Sequence, residues 1–380
     1  MTGRVRLLAA AIVVVLVGDA AGLVVVGRDD ETGGVDVAGA AAMRLVVPEI
    51  EAFVERERGL QFKRPVNVEL LDDKAFVKRL RGDGEQDVQA LAEAEDFFRA
   101  LHLIDGDVRL GAAVDSLLSS AVAGFYDPKR KALVVRGGEP TPSVRAVLAH
   151  ELTHALQDQH FDLERPALDE RTDEAPQGFT GLVEGDAVRI QVRYFESLSE
   201  AEREAFIAEE SAVTRPEGIP DVLVNLLLFP YQAGPPFVNA VLAAGGQPRL
   251  DAAFAAPPET SEQLLHPEVY LRGEKAKPVP GPRADGTVFD RGVVGEFGLL
   301  LLLADALEEG AAKAAAAGWG GDRYVAWRSS GRACVRARFV MDTGIDRVEL
   351  EAALRRWARR HHDVTVAGSG DSPITLTSCA

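Results

Sequence analysis

The stretch HELTHALQDQH, His150 to His160, sets two histidines four residues apart inside an otherwise apolar run. On an α-helix, positions four apart differ by about 40° in direction and one turn in height. His150 and His154 therefore project together and can grip one ion. Glu151 points about 100° away from His150, beside such an ion rather than onto it. A helix start lies just upstream, with Thr141 as N-cap and Pro142 at the first helical position. The pattern predicts a helix from Pro142 to about Gln159 that carries the whole motif. Val144, Val147, Leu148, Leu152, Ala155 and Leu156 wrap that helix in apolar surface, with Glu151 inside the arc and the histidines at its border. A carboxylate buried there alone would be costly or protonated, and a nearby cation removes the penalty. Zinc is the reading this spacing favours; the plainer alternative is two histidines satisfied by backbone carbonyls.

A zinc that does chemistry keeps three protein ligands and one open position, so a third donor must come from elsewhere. Asp162, Glu164, Asp169, Glu170, Asp173 and Glu174 lie in polar surroundings that read as a solvated loop. Glu184 sits in an apolar helical stretch, FTGLVEGDAVRIQV, with Gly185 beside it to allow close backbone approach, and is the expected third ligand. Asp186 points away from that face on a regular helix and reads as a support behind the ligands or a structural cap. His160, six residues past His154, falls on the far side of the helix and is not expected on the metal.

The rest of the chain bounds the setting. Its 380 residues carry a formal net charge of −17, spread along the length, which argues against nucleic acid as a partner. Arg4 and Arg6 precede an apolar run from Leu7 to Val17 and small residues near Ala21, the layout of a secretory leader. Uncut, Leu7 to Val26 would serve as a membrane anchor, at the cost of placing Asp19 inside the span. Either way the expected location is extracytoplasmic, secreted or anchored. Two cysteines, Cys334 and Cys379, are too few for a thiolate metal cluster; they read equally as unrelated buried thiols or as one disulfide.

The expected organisation is a leader or anchor over 1–27, a spacer over 28–39, a metal-bearing domain over 40–275 and a C-terminal α+β module over 276–380. Strands are expected near 65–72 and as a hairpin over 124–126 and 132–135. A polar loop over 162–177 should precede a helix from Thr180 to Leu198, and FPYQAGPPF should interrupt the helices near 219–228. The fold class is α+β: a mostly helical catalytic half with a small sheet, plus the C-terminal module packed on it. GWGGD, Gly318 to Asp322, reads as a turn and His361–His362 as a solvated helix end.

His-Glu-x-x-His followed by a glutamate on a second helix resembles the gluzincin class of zinc metallopeptidases, through His150, Glu151, His154 and Glu184. Val188 stands where such enzymes often carry an aspartate, so support for the first histidine must come from another group. More narrowly, HELTHALQDQHFDL, EGDA, TSEQLLHPEVY and GWGGDRY are similar to a group of exported bacterial metallopeptidases with no assigned substrate, over roughly residues 124–357. The resemblance implies a zincin-like fold, bound Zn2+, a peptide or protein substrate and Glu151 as general base. An oxyanion donor is then expected, with His266 first and Tyr270 and Tyr231 next. The hairpin ending at Val135 could hold an extended peptide by strand addition. The competing reading is a non-catalytic exported binding or scaffold protein with a structural or vestigial zinc site.

Overall fold

The computed structural model describes residues 37–81, 88–121, 123–169, 171–212, 218–368, 370 and 372–380. The expected leader, or anchor, and most of the spacer lie outside those residues. In chain order the first elements are α1 (Val37–Arg58), β1 (Asn67–Leu71), α2 (Asp73–Arg81), α3 (Val88–Ala100), α4 (Leu110–Ala121), β2 (Gly124–Asp127) and β3 (Ala132–Arg136). They lead into α5 (Pro142–Phe161), α6 (Pro166–Asp169), α7 (Glu174–Ser197), α8 (Glu200–Ser211) and α9 (Asp221–Ala255). The remainder comprises α10 (Ser261–Leu265), α11 (Pro267–Arg272), β4 (Thr287–Gly292), α12 (Gly295–Ala304), α13 (Glu309–Ala316), β5 (Trp319–Ser329), β6 (Arg332–Met341), α14 (Gly344–Ala358), β7 (Val364–Ala367) and β8 (Ile374–Cys379).

The motif helix α5 starts where its sequence says. Thr141 caps it, with its side chain accepting from Val144 N, and Pro142 occupies the first turn, where its missing N–H costs nothing. A small sheet in the order β1-β3-β2 lies against α5, with β1 parallel and β2 antiparallel to β3. Alternation along β3 divides its side chains. Leu133 and Val135 join Leu148, Leu152 and α1's Ile50 and Val54 in one core, while Val134 meets Phe76 and Phe125 in another. The apolar face of α5 is thus fully covered, and the motif is locked between the sheet, α1 and α7.

Helix α7 begins at Glu174, earlier than the sequence suggests, because Glu174 is not solvated: its Oε2 accepts from Ser261 N and Oγ at 2.9 and 3.0 Å. Helices α7 and α9 touch backbone to backbone. A Cβ at Gly185 would lie 2.7 Å from Gly234 Cα, and one at Gly234 would lie 2.8 Å from Gly185 Cα. This is the close approach Gly185 suggested. The prolines of FPYQAGPPF do not interrupt α9; the break comes later, at Gly245 and Gly246, which leave helical angles. Pro230, Pro235 and Pro236 each remove one backbone donor, but Phe229, Phe237 and Val238 are buried against Leu182, Val183 and Phe254, so tertiary packing holds the helix through them.

The C-terminal sheet is antiparallel, in the order β4-β5-β6-β8-β7. Trp319, Phe339 and Trp357 anchor the core it shares with α3, α12 and α14. GWGGD is not a turn: Trp319 to Asp322 open strand β5. Cys334 and Cys379 face each other in register on β6 and β8 and form a disulfide. Among the described residues no helix is long and apolar enough to cross a membrane; the anchor expected over Leu7 to Val26 lies outside them.

Candidate metal centre

One turn of α5 and the middle of α7 bring three donor atoms together. His150 Nε2 lies 2.9 Å from His154 Nε2 and 3.1 Å from Glu184 Oε2, and His154 Nε2 lies 3.3 Å from the same oxygen. All three side chains are buried, His150 completely. Among the described residues, no other group of three or more His, Cys, Asp or Glu side chains gathers its donor atoms this tightly.

The outer nitrogens decide what sits between the inner ones. His150 Nδ1 faces Gln191 Oε1 at 3.1 Å, and His154 Nδ1 faces Gln157 Oε1 at 3.0 Å. An amide oxygen only accepts, so His154, facing the Gln157 oxygen, carries its hydrogen on Nδ1 and presents a bare Nε2 inward, and His150 does the same with the Gln191 amide in the orientation seen. Two imidazole lone pairs and a carboxylate oxygen then converge with no hydrogen among them. Nothing but a positive charge stabilises that arrangement. The spacings match the edge of a tetrahedron about a metal, about 3.3 Å for donors some 2.0 Å from the ion. The donor set therefore fits a divalent metal. Without one, a proton takes the place: burial disfavours charge on His154, but the Glu184 carboxylate outweighs it and raises the ring to about 9. Glu184 in turn, despite its burial, is pulled down to about 2 by the two rings.

Glu151 lies next to this group but does not join it. Its Oε2 accepts from Tyr126 N at 2.7 Å, while its Oε1, also buried, has no hydrogen-bond partner. Burial pushes its carboxyl up to about 8. Tyr126 spans two turns of α5, since its hydroxyl donates to Asp158 Oδ2 at 2.7 Å and Lys131 Nζ donates to Asp158 Oδ1 at 2.8 Å. The hairpin is thereby pinned along the helix. Strand β2 is the hairpin's edge of the sheet, but all four of its residues are buried and the N–H of Tyr126 is taken by Glu151, so this edge is not open to an added strand.

The remaining expected residues fall outside the group. His160 Nε2 bonds Gln61 O at 2.8 Å, away from the donors. His266, between α10 and α11, meets Glu296 Oε1 through Nε2 at 2.8 Å, a bond that raises its pKa. Tyr270 donates its hydroxyl to Ala256 O. Tyr231 of α9 lies beside the donors, its ring stacked on His150 with centroids 6.1 Å apart. Asp186 is a support, as its direction on α7 suggested: Oδ2 accepts from Gln157 Nε2 at 3.2 Å and from Arg58 Nε at 2.6 Å. Gln157, Gln191 and Arg58 were not anticipated. The two glutamines carry a legible signal, since Gln157 is three residues after His154 and Gln191 seven after Glu184, both on the ligand face.

Residues 286–377 match a domain of unknown function, DUF8575. No curated protein matches the sequence. Among solved structures the chain is similar to one described as a "putative hydrolase with a novel fold" from Chloroflexus aurantiacus. The identity is 18% and the TM-score 0.42, over 64% of this chain and 94% of that one. The gluzincin and zincin-like expectation is overturned. The family model that matches is a domain of unknown function, not a gluzincin. The α+β class, mostly helical with small sheets, stands. The physical reason is plain: His-Glu-x-x-His constrains little more than one turn of one helix, and any fold that lays a carboxylate-bearing helix across it completes the same donor set.

Proposed function

We propose that this chain is an exported zinc-dependent hydrolase that cleaves peptide bonds, with His150, His154 and Glu184 holding the metal and Glu151 as general base. The observation that carries the reading is the state of Glu151. One carboxylate oxygen is fixed by a backbone N–H and the other is left bare beside the donor group. A carboxylate held in this way is oriented to take a proton, and its raised pKa suits proton exchange near neutral pH. A divalent metal, when bound, supplies the Lewis acidity that activates water and polarises a carbonyl. Glu151 accepts the proton released and returns it to the leaving amine. The Tyr126 N–H keeps its carboxylate from rotating away. Of the expected oxyanion donors, the ring stacking on His150 favours Tyr231 over His266 and Tyr270.

Among the described residues no fourth His, Cys, Asp or Glu joins the donor group, which supports an open coordination position and hence catalysis. Export is supported by the leader-like N-terminus and by the bonded Cys334–Cys379 pair, since disulfides persist in oxidising compartments. One observation favours the rival of a structural metal in a non-catalytic protein, namely the complete burial of His150 and Glu151. Glu151→Gln separates the two. On the hydrolase reading the variant keeps one equivalent of zinc and loses turnover of a peptide library by about 100-fold or more. Full turnover in the variant, or none in the zinc-loaded wild type, overturns it.

A further inference from the structure

We propose that the buried chain Arg58–Asp186–Gln157 is a positioning relay that fixes which ring nitrogen of His154 is bare, and so sets the metal affinity of the site. The inference rests on the metal-binding part of the reading above and concerns residues that touch neither metal nor substrate.

A glutamine side chain has two orientations of nearly equal shape, and only its partners choose between them. Gln157 Nε2 faces two acceptors, Val183 O at 3.0 Å and Asp186 Oδ2 at 3.2 Å. Turning the amide over would set its oxygen against both and its NH2 against His154. Gln157 is therefore locked with Oε1 toward His154 Nδ1, 3.0 Å away. That contact keeps the hydrogen on Nδ1 and leaves Nε2 for the metal. Asp186 is held as an acceptor on every side. Arg58 Nε reaches Oδ2 at 2.6 Å and Arg189 Nη2 reaches Oδ1 at 2.9 Å.

Arg58, in the last turn of α1, is itself fully buried. Its remaining nitrogens meet Asp251 Oδ1 at 2.6 Å and Gln247 Oε1 at 3.0 Å, just past the α9 break. A buried guanidinium with three separate acceptors is a rigid fork, so α1, α7 and α9 together hold the orientation of one amide. The other histidine lacks this arrangement. Gln191 bonds His150 Nδ1 through Oε1, but its buried Nε2 has no hydrogen-bond partner. The lock is one-sided, and His154 is the ligand whose tautomer the fold specifies.

The test is a double-variant cycle on the full exported chain, reading Zn2+ affinity by chelator competition. Asp186→Asn keeps the shape but can present an N–H to Gln157, and Gln157→Leu removes the relay's last link. Each is expected to weaken Zn2+ binding by about 10- to 100-fold. In the Gln157→Leu background, Asp186→Asn should add less than about a twofold change. A full Asp186→Asn effect in that background, or no effect in the wild type, overturns the relay. Should Asp186→Asn fail to fold, Gln157→Leu carries the test alone, and an unchanged affinity refutes it.

If the wild type takes up no zinc, the metal reading fails, and nitrogen-15 spectra of histidine-labelled, metal-free protein still decide the relay. In its neutral form, His154 should carry its hydrogen on Nδ1 in the wild type, facing the Gln157 oxygen 3.0 Å away, and lose that preference in Gln157→Leu. A wild-type hydrogen on Nε2 overturns the relay whatever the metal does.

Discussion

Replacing Gly185 by alanine adds a single methyl group next to Glu184 of the candidate metal site, and the structure fixes what that group meets. The new Cβ would lie 2.7 Å from Gly234 Cα, with the carbonyl of Gly234 nearer still. Carbon atoms settle at about 3.5 Å or more, so α7 and α9 must part by about 1 Å, because backbone cannot rotate aside. Overpacking of this kind costs about 1–3 kcal/mol. Alanine recovers up to about 1 kcal/mol of helix propensity, so at full recovery the net loss is at most roughly 2 kcal/mol. Glu184, the adjacent residue, moves with α7, and its 3.1 Å approach to His150 opens. Zinc affinity should fall by about tenfold or more, as for other losses of ligand positioning. Gly310→Ala is the control, since that glycine lies in α13 with nothing within 4 Å of its added Cβ. There the same change should stabilise by up to about 1 kcal/mol. Urea unfolding of metal-free protein and zinc titration measure both effects. If Gly185→Ala is as stable as the wild type and binds zinc equally well, the backbone contact does not position the ligand helix.

Two further outcomes follow from groups away from the metal. Burial pushes the Glu174 carboxyl up to about 8, against 4.5 for an ordinary glutamate, so the folded state holds the extra proton between these values. Its stabilisation is full below pH about 4.5 and is lost as pH rises through about 8; Glu174→Gln should flatten this fall in urea unfolding, and an unaltered slope refutes the assignment. The Cys334–Cys379 bond spans 45 residues, a loop for which reduction or Cys334→Ser should cost about 4 kcal/mol through unfolded-chain entropy. An unchanged unfolding midpoint in reductant would show that the adjacent strands do not depend on it.

How far the site was legible follows from the range of each interaction. His150, Glu151 and His154 are related by helix geometry over a single turn, and the apolar arc around them marks the helix as buried, so sequence suffices. Glu184 was legible for a similar reason: a charged residue in a buried helical stretch needs a partner. What closes α7 onto α9 was half visible, in Gly185 but not in Gly234, because only one of two contacting surfaces lies near the motif. The continuity of α9 through Pro230, Pro235 and Pro236 was not visible at all. Local propensity says a helix should break there, and only the packing of Phe229 and Phe237 overrides it. Strand β4 was hidden for the opposite reason. Thr287 and Val288 are exposed, and the strand is specified by its ladder to β5 rather than by its own pattern.

The family failed to follow from the motif because donor identity and donor preparation are separate requirements. Three donors on two helices can be reached from many architectures, and their sequence spacing is the same in each. Preparation is where a fold leaves its mark. Here two glutamine oxygens hold the outer ring nitrogens, an aspartate locks one of those amides, and an arginine from the first described helix holds the aspartate. Val188 removed one familiar support for His150, and Gln191, one turn further along the same face of α7, takes its place through a longer side chain. A chain that keeps the donors but holds them by different supports meets the same electrostatic requirement with its own residues. The supporting residues, rather than the motif, are therefore the positions at which this candidate site can be told apart from others that share its spacing.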